Sequence, residues 1–362
     1  MKIRKIEDIT IDWLKEVIFG ISLASAPLIR SFRTERVGVD KGFVNQLARV
    51  VINYEPDIVG PPSSVIVKCP PLDEKLRSVS DRLKNVLREI TVYKEFDSSS
   101  GITIPKLYYS SLDESSGNGV LVIEDIGYAA QGDSVQGCSY QEAVLAVTSI
   151  AKFHAYYWIS SNRYRFALIP EKRHETAAYE ELFKDAWLSL IQQAGRYMPL
   201  HLVALGDKLA ANIDKVKSVL SSKPITLIHG DYRLDNCFFI YDGELQPIEI
   251  NVIDWEYSVK SRGTYDIAAF ITEAFNPTYR RDVEEQLLGL YYSTLKDNGV
   301  TDYSLEECYS DYSISMLEIL IFWVISGGFC DYSGSRATEY LINSLERLSE
   351  AITDWNCEEF LT

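Results

Sequence analysis

At 362 residues and 46% hydrophobic side chains, the chain is long enough for one large domain or two medium lobes with substantial cores, which sets aside the disordered and fibrous classes. A formal net charge of -16 argues against a protein whose main task is to neutralise nucleic-acid phosphates, since that task needs a basic face. The six cysteines, at 69, 138, 237, 308, 330 and 357, form no C-x-x-C pair, so neither a zinc site nor a small disulfide framework is expected, and reduced thiols in a cytoplasmic protein are the simplest reading.

The first stretch, MKIRKIEDITIDWLKEVI, mixes charged and apolar residues as an amphipathic helix does and lacks the apolar run of a secretory signal. SFRTERVGVDKGFVNQLARVVINYE alternates apolar and polar residues on both sides of a segment holding Gly38 and Gly42, the pattern of a hairpin with a glycine-containing connection. After a loop rich in Pro, Gly and Ser, SVIVKCP reads as a short strand ending on Lys68, and Leu83, Val86, Leu87 and Ile90 then recur at helical intervals. IPKLYYSSLDESSGNGVLVIEDIG reads as two strands around a polar turn. Five strands and one inserted helix make residues 1–126 a small α+β unit, and the boundary is placed after Glu124, near Gly127.

From there to the C-terminus helical periodicity dominates, so residues 127–362 form a larger and mainly helical lobe. The exception is 225–256, where ITLIHGD, CFFIY and EINVIDW are short strand-like runs. The most apolar stretch, near 314–328, contains Glu318 and ends in two glycines. A membrane span needs about 20 apolar residues, so this one is read as a buried core helix and no membrane partner is expected.

Within LIHGDYRLDNCFF, His229-Gly230-Asp231 is followed five positions later by Asn236, and the next strand pair carries Asp254 in VIDW. Phosphoryl transfer asks for this set: one carboxylate to orient or deprotonate an attacking hydroxyl, and an amide oxygen with a second carboxylate to hold Mg²⁺ on the nucleotide phosphates.

With these residues in place, the chain resembles the aminoglycoside phosphotransferase and choline kinase branch of the protein-kinase-like fold, and especially its ecdysteroid-kinase-like (CHK-type) bacterial relatives. The resemblance rests on LIHGDYRLDNCFF, NVIDWEYS, GTYDIAAFI, LVIEDIG and IAKFHAYYW and covers about 36–271. It implies a bilobal fold with ATP bound between the lobes, a five-stranded antiparallel sheet with a helix in the first lobe, and transfer of the γ-phosphate to a hydroxyl of a small molecule. It assigns Asp231 as catalytic base, Asn236 and Asp254 as metal ligands, Lys68 as the lysine on the phosphates and Glu89 as its ion-pair partner. Glu124 and Ile126 become the backbone that pairs with adenine, Gly38 and Gly42 the phosphate-covering loop, and Arg233 a secondary residue facing the transferred phosphate. The loop GVDKGFVNQ departs from G-x-G-x-x-G, and IDW replaces the glycine-hinged motif of protein kinases, which makes protein substrates less expected.

Plainer readings stand beside these. The cluster from His229 to Asn236 could be a polar turn, Lys68 a strand-end lysine, and Glu95 competes with Glu89. His154 and His229 read as architectural, and Asp266 as a buried carboxylate bracing the loop through backbone amides. Residues 301–362 hold twelve acidic residues and two basic ones, Arg336 and Arg347. That charge is either a solvated surface or the lining of a pocket for a cationic acceptor such as an aminoglycoside or choline, while nearby aromatics would serve an apolar, steroid-like acceptor equally well. Two other functions compete: a catalytically silent, pseudokinase-like nucleotide-binding module, and a metal-dependent hydrolase, which the four scattered histidines do not favour.

Overall fold

The computed structural model describes residues 3–20, 28–38, 45–55, 60–113, 117–158 and 166–362. Among them the chain divides into two compact units, Met1–Lys94 with Ile104–Gly127, and Glu95–Thr103 with Tyr128–Thr362.

In the first unit, helix α1 (Ile11–Phe19) starts where the Thr10 hydroxyl accepts a hydrogen bond from the Trp13 amide. Strands β1 (Leu28–Arg36), β2 (Gln46–Glu55) and β3 (Ser64–Cys69) are followed by helices α2 (Glu74–Leu83) and α3 (Asn85–Glu95), then by β4 (Leu107–Leu112) and β5 (Gly119–Glu124). The five strands form one antiparallel sheet in the order β1-β2-β3-β5-β4. Period-two alternation sends Val65, Val67 and Cys69 of β3 into a core shared with Ala48, Val50, Ile52, Val120, Val122 and the Trp13 and Leu14 side chains of α1. Lys68 therefore lies on the opposite face, in register with Leu47 and Leu121.

The single helix expected after β3 is two. Lys84 takes the left-handed conformation (φ 55°) and separates α2 from α3. The spacing of Leu83, Val86, Leu87 and Ile90 runs through the break unchanged, and apolar periodicity does not register one residue leaving the helix.

The second unit contains β6 (Ala130–Gln131), α4 (Tyr140–Tyr156), α5 (Thr176–Ala194), α6 (Leu200–Ala210), α7 (Ile213–Leu220), β7 (Thr226–Ile228), β8 (Cys237–Tyr241), β9 (Pro247–Val252), β10 (Val259–Ser261), α8 (Thr264–Ala274), α9 (Pro277–Asp297), α10 (Leu305–Phe329) and α11 (Ser335–Asp354). Reciprocal Ser139/Glu142 and Ser304/Glu307 capping boxes start α4 and α10, and the Asn276 cap with Pro277 starts α9. Along α4, Ala143, Ala146, Val147, Ile150, Ala151 and His154 form one buried stripe. Helix α10 extends the expected apolar segment to 25 residues, long and apolar enough to cross a membrane by length and composition. It is instead largely buried, packed on α5 and α8, as a core helix. Two small sheets, β10-β7 and β6-β8-β9, carry the loops described next. An antiparallel five-stranded sheet followed by a mostly helical unit is the α+β, kinase-like architecture expected from the motifs.

Candidate active site

The chain leaves β7 at His229 and enters β8 at Cys237, and the loop between them is held from below by Asp266, in the first turn of α8. The two carboxylate oxygens of Asp266 accept from the backbone amides of His229 (2.7 Å) and Gly230 (2.9 Å). One of them also meets His154 Nε2 at 3.2 Å, and the Tyr291 hydroxyl lies 3.1 Å from His154 Nδ1. His154 and Asp266 are fully buried, so this bracing operates where hydrogen bonds are least weakened by water. Gly230 has φ +86° and a Cβ there would fall 2.1 Å from the Tyr257 carbonyl oxygen, so only glycine fits.

His229 ties this loop to the one carrying Asp254. Its Nε2 donates to the Ile253 carbonyl (2.8 Å) and its Nδ1 accepts from the Asp231 amide (3.1 Å), a pair of bonds that a neutral ring protonated on Nε2 satisfies. The Ile253 amide in turn donates to the Asn236 carbonyl at 3.1 Å. Asp254 follows with φ 67° and ψ 59°, a conformation uncommon for a residue with a side chain and typical of functional positions.

The Asp231 side chain is 11% exposed. Its Oδ2 accepts from Asn236 Nδ2 at 2.9 Å and from Arg233 Nε at 3.2 Å. Burial raises this carboxyl above the usual aspartate range, with Arg233 opposing the shift and Asp254 reinforcing it. Asn236 Nδ2 also donates to the Asp231 carbonyl at 2.9 Å, so its amide nitrogen is turned to Asp231 and its oxygen faces the other way. Asp254 and the buried Glu256 bring carboxylate oxygens within 4.8 Å of each other. Asn236, Asp254 and Glu256 thus supply hard oxygen donors of the kind Mg²⁺ takes.

Glu273, in the last turn of α8, accepts from the Tyr340 hydroxyl at 2.9 Å, and burial pushes its carboxyl up to about 7 despite the opposing charge of Arg233. The folded state keeps this proton up to about pH 7, whereas an unfolded glutamate loses it near 4.5, so the stabilisation is fully present below 4.5 and is lost as pH rises through 7. The loss is on the order of 3 kcal/mol. Glu273→Gln is expected to flatten the dependence of Tm on pH across that window; a slope equal to the wild type would mean that the folded carboxyl is ionised throughout.

In the first unit, Lys68 Nζ and Glu89 Oε2 form a 2.7 Å ion pair, with side chains 9% and 3% exposed. This pairing selects Glu89 over Glu95 as the partner. The segment Glu124–Gly127 is fixed by a bidentate bond, Arg49 Nε and Nη2 donating to Asp125 at 2.7 and 3.1 Å, and by the Gly127 amide on Asp125 Oδ1. Burial of Asp125 acts to raise its carboxyl, but the bonds from Arg49 and Ser64 prevail and hold it below the usual range. The Glu124 amide donates to the Lys106 carbonyl at 2.9 Å, so an adenine paired at Glu124 would use its carbonyl oxygen. Gly38 has φ 70°, and Gly42 lies outside the described residues.

The structure therefore joins Asp231, Arg233, Asn236 and Asp254 in one unit and Lys68 with Glu89 in the other. Glu256, Asp235 and the Arg49–Asp125 clamp lie outside the residues to which the motifs assign a role. For Glu256 a signal was in plain view, a second acid two positions after Asp254.

A family model described as ecdysteroid kinase-like matches residues 40–300, well over half of the chain. The chain belongs to the ecdysteroid kinase-like family. By family it is an ATP-dependent phosphotransferase with an alcohol group as acceptor. Among solved structures, this ecdysteroid kinase-like protein is similar to a putative aminoglycoside phosphotransferase of Ralstonia eutropha JMP134, with 16% identity, TM-score 0.52 and 96% of each chain covered. It is also similar to the choline kinase LicA of Streptococcus pneumoniae, with 18% identity and TM-score 0.52 over 95% of this chain and 99% of the other, and LicA has been solved with AMP. An ethanolamine kinase of Plasmodium vivax aligns at 14% identity and TM-score 0.54 over 94% and 87% of the two chains. At these identities the likeness establishes the fold. No curated protein sequence matches the chain.

Proposed function

We propose that this protein transfers the γ-phosphoryl group of ATP, with Mg²⁺, to a hydroxyl of a small molecule, with Asp231 as the general base. The observation that carries this reading is the setting of the Asp231 carboxylate, held by Asn236 and Arg233 and linked through His229 and Ile253 to the strained turn of Asp254. A carboxylate so fixed can accept the proton of an incoming hydroxyl while aiming its oxygen at the phosphorus. Burial places its pKa nearer the working pH than a free aspartate's, which favours proton transfer.

Asn236 and Asp254, with Glu256 beside them, would hold the metal, which when bound neutralises charge on the nucleotide phosphates. Lys68, oriented by Glu89, would contact the α- and β-phosphates, Glu124 and Ile126 would meet the adenine, and Gly38 and Gly42 would belong to the loop over the phosphates. Arg233 is turned onto Asp231 and Asp235, so its role is to set the base and only through it the phosphate. The relatives named above are kinases of choline and ethanolamine and a putative aminoglycoside phosphotransferase, and this chain's own family name points to a steroid alcohol. A small alcohol with a cationic or broad apolar body is the acceptor class common to them.

Thermal unfolding with a non-hydrolysable ATP analogue tests the nucleotide and metal assignment. At ligand about a hundredfold above Kd, the wild type is expected to gain about 3 kcal/mol with Mg²⁺ present, a shift of several degrees. Asp254→Ala is expected to lose the Mg²⁺-dependent part. Equal Mg²⁺-dependent stabilisation of both proteins would remove Asp254 from the metal site, and no stabilisation of the wild type at any concentration would overturn nucleotide binding.

A further inference from the structure

Residues 301–362 contain only two basic side chains against twelve acidic ones, and both are spent on the same place. Arg336 Nη2 donates to Asp133 Oδ1 at 3.0 Å and to Asp235 Oδ1 at 3.2 Å. Arg347 donates to the backbone carbonyls of Ser134 (2.8 Å), Val135 (3.2 Å) and Glu273. Tyr340 lies between them on α11, its ring 5.3 Å from the Arg233 guanidinium and its hydroxyl on Glu273. Positions 336, 340 and 347 are spaced by four and seven residues, so they share one face of the helix.

We propose that α11 is a positioning clamp for the catalytic loop, in which Arg336, acting through Asp235, holds the Arg233 guanidinium against the carboxylate of Asp231. This rests on the reading of Asp231 as the base. Asp235 is 4% exposed and divides its two oxygens: Oδ2 takes Arg233 Nη1 at 2.9 Å and the Ser134 amide at 3.4 Å, while Oδ1 takes Arg336. A carboxylate is planar and turns about a single bond, so a partner on each oxygen fixes its plane, and that plane sets where Arg233 Nη1 is anchored. With Nη1 anchored on Asp235 and the guanidinium beside the Tyr340 ring, Nε is directed at Asp231 Oδ2. Arg336 and Asp235 are thus positioning residues for a base that neither of them orients alone. Among the described residues the hydrogen bonds of Arg347 go to carbonyl oxygens, and it serves as an anchor for the segment from Ser134 to Val135.

The hold can be read without knowing the acceptor, from the exchange of the Arg233 Nε proton with water in ¹⁵N NMR of the full chain, the signal assigned by its absence in Arg233→Lys. Arg336→Gln is expected to speed that exchange about tenfold, the equivalent of one charge-assisted hydrogen bond, and Arg336→Lys to restore part of the protection. Arg347→Gln should leave it unchanged. Because the Arg336 side chain is 26% exposed, its variants should fold, and Asp235→Asn serves as a second probe expected to match Arg336→Gln. Release of ADP from Mg·ATP with water as acceptor gives the functional readout: a lower kcat in Arg336→Gln at unchanged KM for ATP. Exchange of the Arg233 proton unaffected by Arg336→Gln, or equally affected by Arg347→Gln, would overturn the clamp. Absence of ADP release in the wild type would count against the kinase reading alone, with the clamp decided by the exchange rates.

Discussion

Asp231→Asn is expected to lower phosphoryl transfer about a thousandfold while leaving nucleotide affinity nearly unchanged, because it removes proton transfer and aim but not the contacts that bind phosphate. The substitution is close to isosteric, and the oxygen of the new amide could still accept from Asn236 and Arg233, which reach Asp231 Oδ2 at 2.9 and 3.2 Å. What the amide cannot do is take the acceptor's proton. The loss should therefore appear in kcat, measured alongside the Kd for ATP by titration. A fall in affinity of similar size, with kcat preserved, would instead make Asp231 part of the nucleotide site and require a different base.

Breaking the Lys68–Glu89 pair is the second large effect. Lys68→Met is expected to cost about 3–5 kcal/mol, read from the denaturant midpoint, because Glu89 loses its lysine in surroundings that leave its side chain 3% exposed. Replacing both partners, Lys68→Met with Glu89→Leu, should recover most of that stability, since two apolar side chains of similar volume leave no ion without its counter-ion. The double variant should nevertheless show no stabilisation by Mg·ATP. Stability and ligand response moving apart in this way would mark the pair as kept for the phosphates. If the double variant proved as unstable as the single ones and still bound nucleotide, the pair would be a structural staple with no part in binding.

The loop from His229 to Asn236 was legible because its spacing is local: Asn236 follows Asp231 by five positions, and a short strand pair brings Asp254 back. The alternation of β3 likewise predicts that Val65 and Val67 point one way and Lys68 the other, as observed. The bracing by Asp266 and the architectural roles of His154 and His229 were also readable, from buried polar residues that need partners.

What escaped was of two kinds. The break at Lys84 and the short strands β6 and β10 leave the apolar pattern intact, since one left-handed residue or a two- to three-residue ladder changes no periodicity. The Asp235–Arg336 and Arg49–Asp125 bonds join residues 101 and 76 positions apart. Apolar periodicity tells which side of an element is buried, not which distant arginine will find a given carboxylate.

Phosphoryl transfer to an alcohol can be followed by ³¹P NMR, with the protein and Mg·ATP incubated with a panel of choline, ethanolamine, an aminoglycoside and a hydroxysteroid. A phosphomonoester signal on at least one acceptor, growing with ADP and absent with Asp231→Asn, is the predicted result. Bound nucleotide with no phosphomonoester on any member of a broad panel would contradict it, and would make the protein a nucleotide-binding module that keeps a kinase's residues without its reaction.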